Sequence, residues 1–397
     1  MKEPTARKAL AVATRAMAKK LRVGILFGGR SAEHEVSVRS AANVIAAADP
    51  KKYEIVPIAI AKDGRWRVGA LPGGSQERPR IEDATGQSLE VVPAASPAGP
   101  GPLIPIPPTN SGKRIGRLDV IFPILHGTFG EDGTVQGLLE LAGIPYVGAG
   151  VLGSAAGMDK EVMKRLFRER GLPIVPYLAI RRADWEAAPR KTCLAVEKKF
   201  RYPVFVKPAN LGSSVGITKA HNRRELEAGL RTAADYDRKI LVEKAIEGRE
   251  IECAVLGNDA PVASVPGEVV PGREFYDYAD KYLEDTAQLI VPAPLRNAQT
   301  REVQRLAVEA FRAIDCAGMA RVDFFLEKKI GKIYVSEINT IPGFTSISMY
   351  PRMWAASGLP YPKLIDRLIE LALERHREKI RTRYSLRLSR ASVNPSR

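Results

Sequence analysis

Late in the chain, polar and apolar positions alternate in two short runs, Arg321-Val322-Asp323 and Glu337-Ile338-Asn339. A period of two puts Arg321 and Asp323 on one face of one strand, and Glu337 and Asn339 on one face of the next. Between them, Lys329-Ile330-Gly331 predicts a three-residue hairpin loop with glycine in the left-handed position. Pairing about that loop sets Asp323 opposite Glu337 and Arg321 opposite Asn339, unless a bulge at Gly331 slips the register by one. The start of the chain has a different pattern. Arg22–Phe27 reads as a short buried strand ending in Gly28-Gly29, and Ser31 predicts the cap of a helix buried through Val36, Ala41, Val44 and Ile45. Tyr53–Ile60 is a second strand, so the chain opens with a βαβ unit. Residues 69–116, rich in Pro, Gly and Ser, predict an insertion with little core of its own. Leu118–Leu125 resumes the sheet, and one helix is predicted from Ser154 to Arg170 with Gly171 as its stop. Short strands and helices alternate over residues 172–256; the rest is strand-rich and closes in a helix over 361–379. Residues 267–292, punctuated by Gly267, Pro271, Gly272, Pro292 and Pro294, predict a mobile lid around Phe275–Tyr282, although an exposed hairpin would read alike.

Composition narrows the class. A chain of 397 residues holds two or three domains with real cores. No stretch approaches the ~20 apolar residues that span a bilayer, and residues 1–20 lack the apolar run of a signal peptide. Cys193, Cys253 and Cys316 are odd in number and widely spaced, which fits a reducing cytoplasm, and the four histidines add no zinc-type spacing. The net charge of +16 invites a nucleic-acid reading, but much of the excess lies in the tails, from Lys2 to Arg22 and from Arg375 to Arg390. Those tails lack the interleaved aromatics of a base-stacking platform. Anionic small substrates account for a basic core more simply, and neither a nucleic-acid nor a membrane partner is expected.

The facing carboxylates carry the candidate chemistry. Opposed strand positions lie about 5 Å apart at Cβ, so Asp323 and Glu337 would repel each other unless a cation joined them. Oxygens of Asp323, Glu337 and Asn339 suit Mg²⁺ held jointly with substrate phosphates, though a solvated hairpin face would show the same spacing. The run from Gly28 is not G-x-G-x-x-G, and no Walker P-loop is present. A nucleotide would instead use Val204–Pro208, a strand ending in Lys207, followed by Gly212-Ser213-Ser214-Val215-Gly216, whose backbone N–H groups can close over phosphate. A plain hairpin turn has the same composition. Glu33 stands near a helix start, as either a ligand or a capping acid, and His126 ends a strand before Gly127. Leu241–Lys244 reads as a strand with its charges turned to water.

Taken in order, these motifs resemble the D-alanine–D-alanine ligases of the ATP-grasp superfamily over about residues 21 to 378. The resemblance rests on Gly28–Ser37 (GGRSAEHEVS), His126-Gly127, Gly130–Gly133 (GEDG) with Gln136-Gly137, and Met158-Asp159-Lys160. It continues through Lys207-Pro208, Gly212–Gly216, Phe275–Tyr278 with Lys281-Tyr282, Arg321–Asp323, and Glu337–Asn339 with Pro342-Gly343 and Thr345-Ser346. It implies an α/β and α+β, three-domain ATP-grasp architecture with an N-terminal parallel-sheet (pre-ATP-grasp) domain. The implied divisions are a basic extension (1–20), an N-terminal α/β substrate domain (21–148) carrying the insertion, and a central ATP-grasp subdomain (149–243). A C-terminal ATP-grasp and metal-binding domain (244–378) and a basic tail (379–397) follow.

The activity implied is ATP-dependent joining of two D-alanines through an acyl phosphate, giving D-alanyl-D-alanine for peptidoglycan. ATP would be co-substrate with two Mg²⁺ (or Mn²⁺), in a cytoplasmic homodimer. By the same resemblance Glu33, tied to Ser213 and Tyr282, takes the first D-alanine's ammonium group. Arg321 and the N–H of Gly343 face the tetrahedral oxyanion. His126, Ser348 and the N–H of Met349 meet substrate. Lys160, Lys207, Ser214 and Lys281 meet the phosphates; Glu243, Lys244, Ala245 and Ile246 line adenine, and Glu250 takes the ribose. Asp323, Glu337 and Asn339 hold the metal ions, with Glu337 touching both. Tyr282 favours dipeptide over the D-lactate depsipeptide, and Ala245 stands where some relatives carry a bulkier residue. Another ATP-grasp carboxylate–amine ligase, the D-lactate variant and a basic binding protein with an inactive grasp fold are the other readings.

Overall fold

The computed structural model describes residues 20–69, 89–93, 103–105, 117–272 and 287–384, and among them the strands form three sheets. The first sheet contains β1 (Leu21–Gly28), β2 (Tyr53–Ile60), β3 (Trp66–Val68), β4 (Leu89–Pro93), β5 (Leu103–Pro105) and β6 (Val120–Ile124). Its order is β5-β4-β3-β2-β1-β6, and β1 runs parallel to both β2 and β6. A parallel strand buried on both faces needs a continuous apolar run, which Val23, Ile25, Leu26 and Phe27 provide. Helix α1 (His34–Ala47) crosses back over β1, with Val38, Ala41 and Val44 buried. After β6 come α2 (Thr134–Leu141), α3 (Val151–Met158) and α4 (Lys160–Glu169).

The second sheet, of order β7-β10-β8-β9, is built from β7 (Tyr177–Arg181), β8 (Val204–Pro208), β9 (Thr218–Ala220) and β10 (Lys239–Lys244). Helices α5 (Arg182–Ala187), α6 (Pro189–Lys199) and α7 (Arg223–Tyr236) accompany it, around their own core of Trp185, Leu226, Leu230 and Val242. The third sheet contains β11 (Gly248–Gly257), β12 (Val262–Ala263), β13 (Gly267–Val270), β14 (Gln288–Ile290), β15 (Gly318–Glu327) and β16 (Ile333–Asn339). Helices α8 (Asn297–Ala313), α9 (Met349–Ala356) and α10 (Tyr361–Lys379) complete it.

The first and third sheets share one core. Phe344 meets Phe122 edge-on at 5.7 Å and Tyr361 at 5.6 Å, and α10 buries Leu364, Leu368 and Ile369 in the same cluster as Val38 and Val44. Asp366 of α10 accepts from Tyr53 Oη (2.8 Å) and Lys52 Nζ (2.6 Å), and the Arg375 guanidinium lies over the Tyr146 ring. These contacts hold the first sheet, from the start of β2 to Phe122 in β6, against α10 and the segment that follows β16.

Two expectations need amendment, and two others fall partly outside the described residues. Ser31 does not cap α1: Glu33 occupies the cap position without a side-chain cap bond. The Ser31 hydroxyl instead accepts from Glu33 N (3.2 Å) and donates to His126 O (2.7 Å), so it ties two loops together. Within the predicted insertion over 69–116, β4 and β5 extend the first sheet beyond β3, and its remainder lies outside the described residues. The predicted helix over 154–170 is two helices. Asp159, at φ −81° and ψ 100°, breaks it by accepting from the N–H groups of Glu161 and Val162, the local competition that short acidic side chains offer a helix. The predicted lid is rooted in the pair β13–β14, while its centre, with Phe275, Lys281 and Tyr282, lies outside the described residues.

Candidate active site

The late hairpin has the anticipated pairing where the polar residues sit: Asp323 opposes Glu337, and Arg321 opposes Asn339. It reaches that register by a different route. Glu327 N–H donates to Lys332 O (2.9 Å) around Lys328–Gly331, a turn one residue longer than expected, with Gly331 at φ +68°. A bulge then restores the count, since Phe324 pairs with Val335 and Asp323 with Glu337, leaving Ser336 as the extra residue.

On the exposed side of this ladder, Arg321 Nε and Nη2 donate to the two oxygens of Asp323, both at 2.7 Å. Asn339 Nδ2 donates to Asp323 Oδ2 (3.0 Å), and Arg321 Nε lies 3.1 Å from Glu252 Oε2. Burial opposes the guanidinium charge, but Asp323 and Glu252 hold Arg321 well above its ordinary value. Glu252 lies directly beside Asp323 on β11, and its signal was legible: it follows Glu250 at the strand period. The donor set suits a hard ion. Among the described residues no three His, Cys, Asp or Glu converge. Two carboxylates and an amide oxygen therefore cannot fill an octahedral shell, but they fit Mg²⁺ completing its shell with phosphate and water.

Three lysines face this hairpin. Lys160, at the first turn of α4, donates to Leu211 O (2.6 Å) and lies 3.7 Å from Glu337 Oε2. Lys207, near the end of β8, pairs with Glu243 Oε2 at 2.7 Å. Lys164, one turn after Lys160 and fully buried, pairs with Glu243 Oε1 (2.9 Å) and donates to Ser336 O (3.0 Å). Although burial pushes Glu243 up, Lys164 and Lys207 win and hold its carboxyl at about 2. Burial draws Lys164 down from the ordinary lysine range against Glu243, whereas Lys207 is raised, Glu243 and Glu337 outweighing its burial. Lys164 was not singled out from the sequence.

The segment expected beside adenine is only partly available. The Glu243 side chain is enclosed by its lysines, and the N–H groups of Lys244 and Ala245 donate to Pro176 O (3.0 Å) and Pro203 O (3.4 Å). Ala245 and Ile246 are half-buried and Lys244 is exposed. Glu250 is half-buried and among the charges that raise Lys207.

The glycine-serine loop bends sharply: Ser213 and Ser214 take φ +49° and +60°, left-handed values that cost a serine roughly 1–3 kcal/mol. That bend lets Ser213 Oγ donate to Glu33 Oε1, joining the β8–β9 loop to the start of α1. The Glu33 carboxylate is confined by two glycines. A Cβ on Gly127 or Gly212 would lie 2.6 or 2.9 Å from its Oε2, and Gly127 also has φ +72°. His126 is buried with Nδ1 2.9 Å from Ile341 O, which can only accept, so Nδ1 carries a proton; burial lowers its pKa. Its Nε2 faces Ser40 Oγ at 3.5 Å. Ser348 stands at the cap position of α9, its Oγ accepting from Thr345 N (3.1 Å) and lying 2.7 Å from Thr345 Oγ1. Gly343 is adjacent, a Cβ there lying 3.1 Å from Ser348 Oγ, and Met349 is buried.

A crevice brings Lys160, Ser213, Ser214, Glu337 and Asn339 together with Glu131. Glu131 belongs to the GEDG segment but was given no role from sequence. Its two oxygens accept from Gly127 N (2.9 Å) and Ile341 N (2.8 Å), bridging the β6 loop to the segment after β16. Burial and the nearby Glu33 push its carboxyl from 4.5 up to about 8. The native state then retains a proton that the unfolded chain has lost, so stability falls as pH rises from about 4.5 through about 8. Glu131→Gln removes that titration. The loss of stability between pH 5.5 and 8, read from chemical denaturation, is expected to be smaller in the variant by on the order of 1 kcal/mol; equal losses would refute it.

Comparison with known proteins gives concordant matches. The family profile described as D-ala D-ala ligase N-terminus matches residues 22–149, and that described as D-ala D-ala ligase C-terminus matches residues 166–370. A D-alanine–D-alanine ligase of Solibacter usitatus is 53% identical over 366 residues, spanning 92% of this chain and 99% of its own. The solved D-alanine–D-alanine ligase of Coxiella burnetii superposes with a TM-score of 0.80 at 39% identity, covering 92% of this chain and 97% of that one. The VanG D-Ala:D-Ser ligase of Enterococcus faecalis superposes at 0.78 with 36% identity, covering 89% of this chain and all (100%) of that one.

Proposed function

We propose that this chain, which belongs to the D-alanine–D-alanine ligase family and has its ATP-grasp architecture, makes D-alanyl-D-alanine from two D-alanines and ATP for peptidoglycan synthesis. The observation that carries the reading is the crevice lined by Glu337, Asn339, Lys160 and Ser213, with Asp323 bonded to Asn339 and Glu33 to Ser213.

Amide formation from a free carboxylate is uphill in water, and the departing oxyanion is also a poor leaving group. In the first step a carboxylate oxygen of D-alanine bonds to the γ-phosphorus of ATP as the bond to the ADP oxygen breaks. In the second, the amine of another D-alanine attacks the acyl carbon, its extra proton leaves, and inorganic phosphate departs with the bonding pair. Both steps depend on placement and charge neutralisation more than on covalent participation by the protein. Mg²⁺ bound at Asp323, Glu337 and Asn339 would neutralise the phosphate oxygens and draw electron density from the γ-phosphorus. Lys160 and Lys207 add fixed positive charge, and the loop at Ser213 and Ser214 presents backbone N–H groups to the phosphates. Glu33, held by Ser213 and confined by Gly127 and Gly212, takes the ammonium group of the first D-alanine. Arg321, held between Asp323 and Glu252, acts with the N–H of Gly343 on the tetrahedral oxyanion. His126 shapes the substrate side as a neutral imidazole, and Ser348 with the N–H of Met349 takes the second carboxylate. Lys281 and Tyr282 act from the lid, Lys281 on phosphate and Tyr282 on the Glu33–Ser213 pair. Carbonyls near Glu243, Lys244 and Ala245, with Ile246, take adenine, and Glu250 takes the ribose.

The working unit in this reading has divisions at 21–148, 149–243 and 244–378, which the three sheets support. It acts in the cytoplasm, a reading supported by three buried free cysteines, and as a homodimer, which rests on the family resemblance alone. Among the described residues no helix is long and apolar enough to cross a membrane.

The likeness to a D-Ala:D-Ser ligase makes the second substrate the point to test. A coupled ADP-release assay with D-alanine, D-serine, D-lactate and L-alanine, with products identified by mass, is expected to give D-alanyl-D-alanine from D-alanine alone. L-Alanine should give no ADP. A mixed D-alanyl-D-serine or depsipeptide product dominating at equal concentrations would overturn the dipeptide assignment.

A further inference from the structure

We propose that Lys164 is a positioning residue for the nucleotide phosphates: by sharing Glu243 with Lys207, it leaves the buried cluster with a net positive charge facing the crevice. The inference deepens the proposed function and rests on it. Lys160 and Lys164 are one helical turn apart on α4, so a single helix face presents both. Lys160 reaches the crevice, whereas Lys164 is enclosed and makes two contacts, Glu243 Oε1 at 2.9 Å and Ser336 O at 3.0 Å. Glu243 Oε2 holds Lys207 at 2.7 Å.

Charge bookkeeping in this cluster is simple. Lys207 with Glu243 alone would be a neutral pair, offering a phosphate a dipole and no net charge. Adding Lys164 makes the cluster +1, and the surplus is expressed at Lys207, whose partly exposed ammonium interacts electrostatically with Glu337 of the crevice wall. A buried lysine kept only for stability is hard to rationalise, because buried ion pairs are often no more stabilising than apolar side chains of similar volume. The second contact extends the role. Ser336 is the bulged residue that sets the register of Glu337, so Lys164 also holds the strand carrying a metal-binding carboxylate.

The test is calorimetric binding of ADP at fixed Mg²⁺, with adenosine as the phosphate-free control. Lys164→Met removes the charge and both contacts, while Lys164→Gln keeps a donor and removes only the charge. Both are expected to weaken ADP at least about tenfold and adenosine less than twofold. Adding Glu243→Gln to either should recover most of the lost ADP affinity, because Lys207 is again uncompensated. If Lys164→Met does not fold, the Lys164→Gln single and double variants decide alone. Wild-type ADP affinity in Lys164→Gln overturns the proposal, as does an equal loss for ADP and adenosine, or no recovery in the double variant. A wild-type chain that binds ADP no better than adenosine overturns the functional reading itself.

Discussion

Glu337→Gln is expected to lower ADP release in the presence of D-alanine by at least ~10³-fold, with an unchanged thermal unfolding midpoint. Each factor of ten corresponds to about 1.4 kcal/mol of barrier, so this asks roughly 4 kcal/mol of one negative charge. That is within what a divalent ion contributes to a transferring phosphoryl group. Glu337 is the carboxylate for such an effect because it faces Asp323 across the ladder and also lies 3.7 Å from Lys160. Glutamine keeps the size and the hairpin pairing, so the change removes charge without opening the strand. A variant that retains a tenth of its activity at saturating Mg²⁺ would mean that these residues do not hold the ion.

The position of Glu337 was legible in the sequence, but partly through two offsetting departures. The predicted three-residue loop is one residue short, and the bulge at Ser336 puts that residue back. Strand period reports which residues share a face, but a bulge is set by what the strand meets. Here Lys164, 172 residues away along the chain, binds the Ser336 carbonyl. Lys164 was illegible for a related reason: lysine on an amphipathic helix reads as a solvent residue, and only tertiary structure buries it against Glu243. Glu252 and Glu131 carried signals that were not used, the first in strand alternation and the second in its motif. Most of the element order followed from apolar runs. The failures came where a short polar side chain found a local donor: Asp159 divides a helix, and the Ser31 hydroxyl ties loops instead of capping α1.

Arg321→Met is expected to have two effects with opposite dependence on Mg²⁺. Without the ion it should destabilise the chain by about 3–5 kcal/mol, because Asp323 and Glu252 lose the cation that both contact in a largely buried site. With the ion, part of that loss should return. In the wild type, Asp323 gives both oxygens to Arg321, so an ion bound by Asp323 would compete with a bidentate guanidinium. In the variant that competition is absent, and an ion that binds the folded state more tightly raises its stability more. The midpoint shift caused by Mg²⁺ should therefore be larger in Arg321→Met than in the wild type, measured by thermal denaturation without nucleotide. Activity should not follow stability. Even at saturating Mg²⁺ the variant lacks the guanidinium that would meet the tetrahedral oxyanion, and a single such donor is worth roughly 10²–10³ in turnover. Recovery of both stability and turnover would show that Arg321 serves only to hold Asp323. An equal Mg²⁺ shift in the two proteins would remove Asp323 from the metal set.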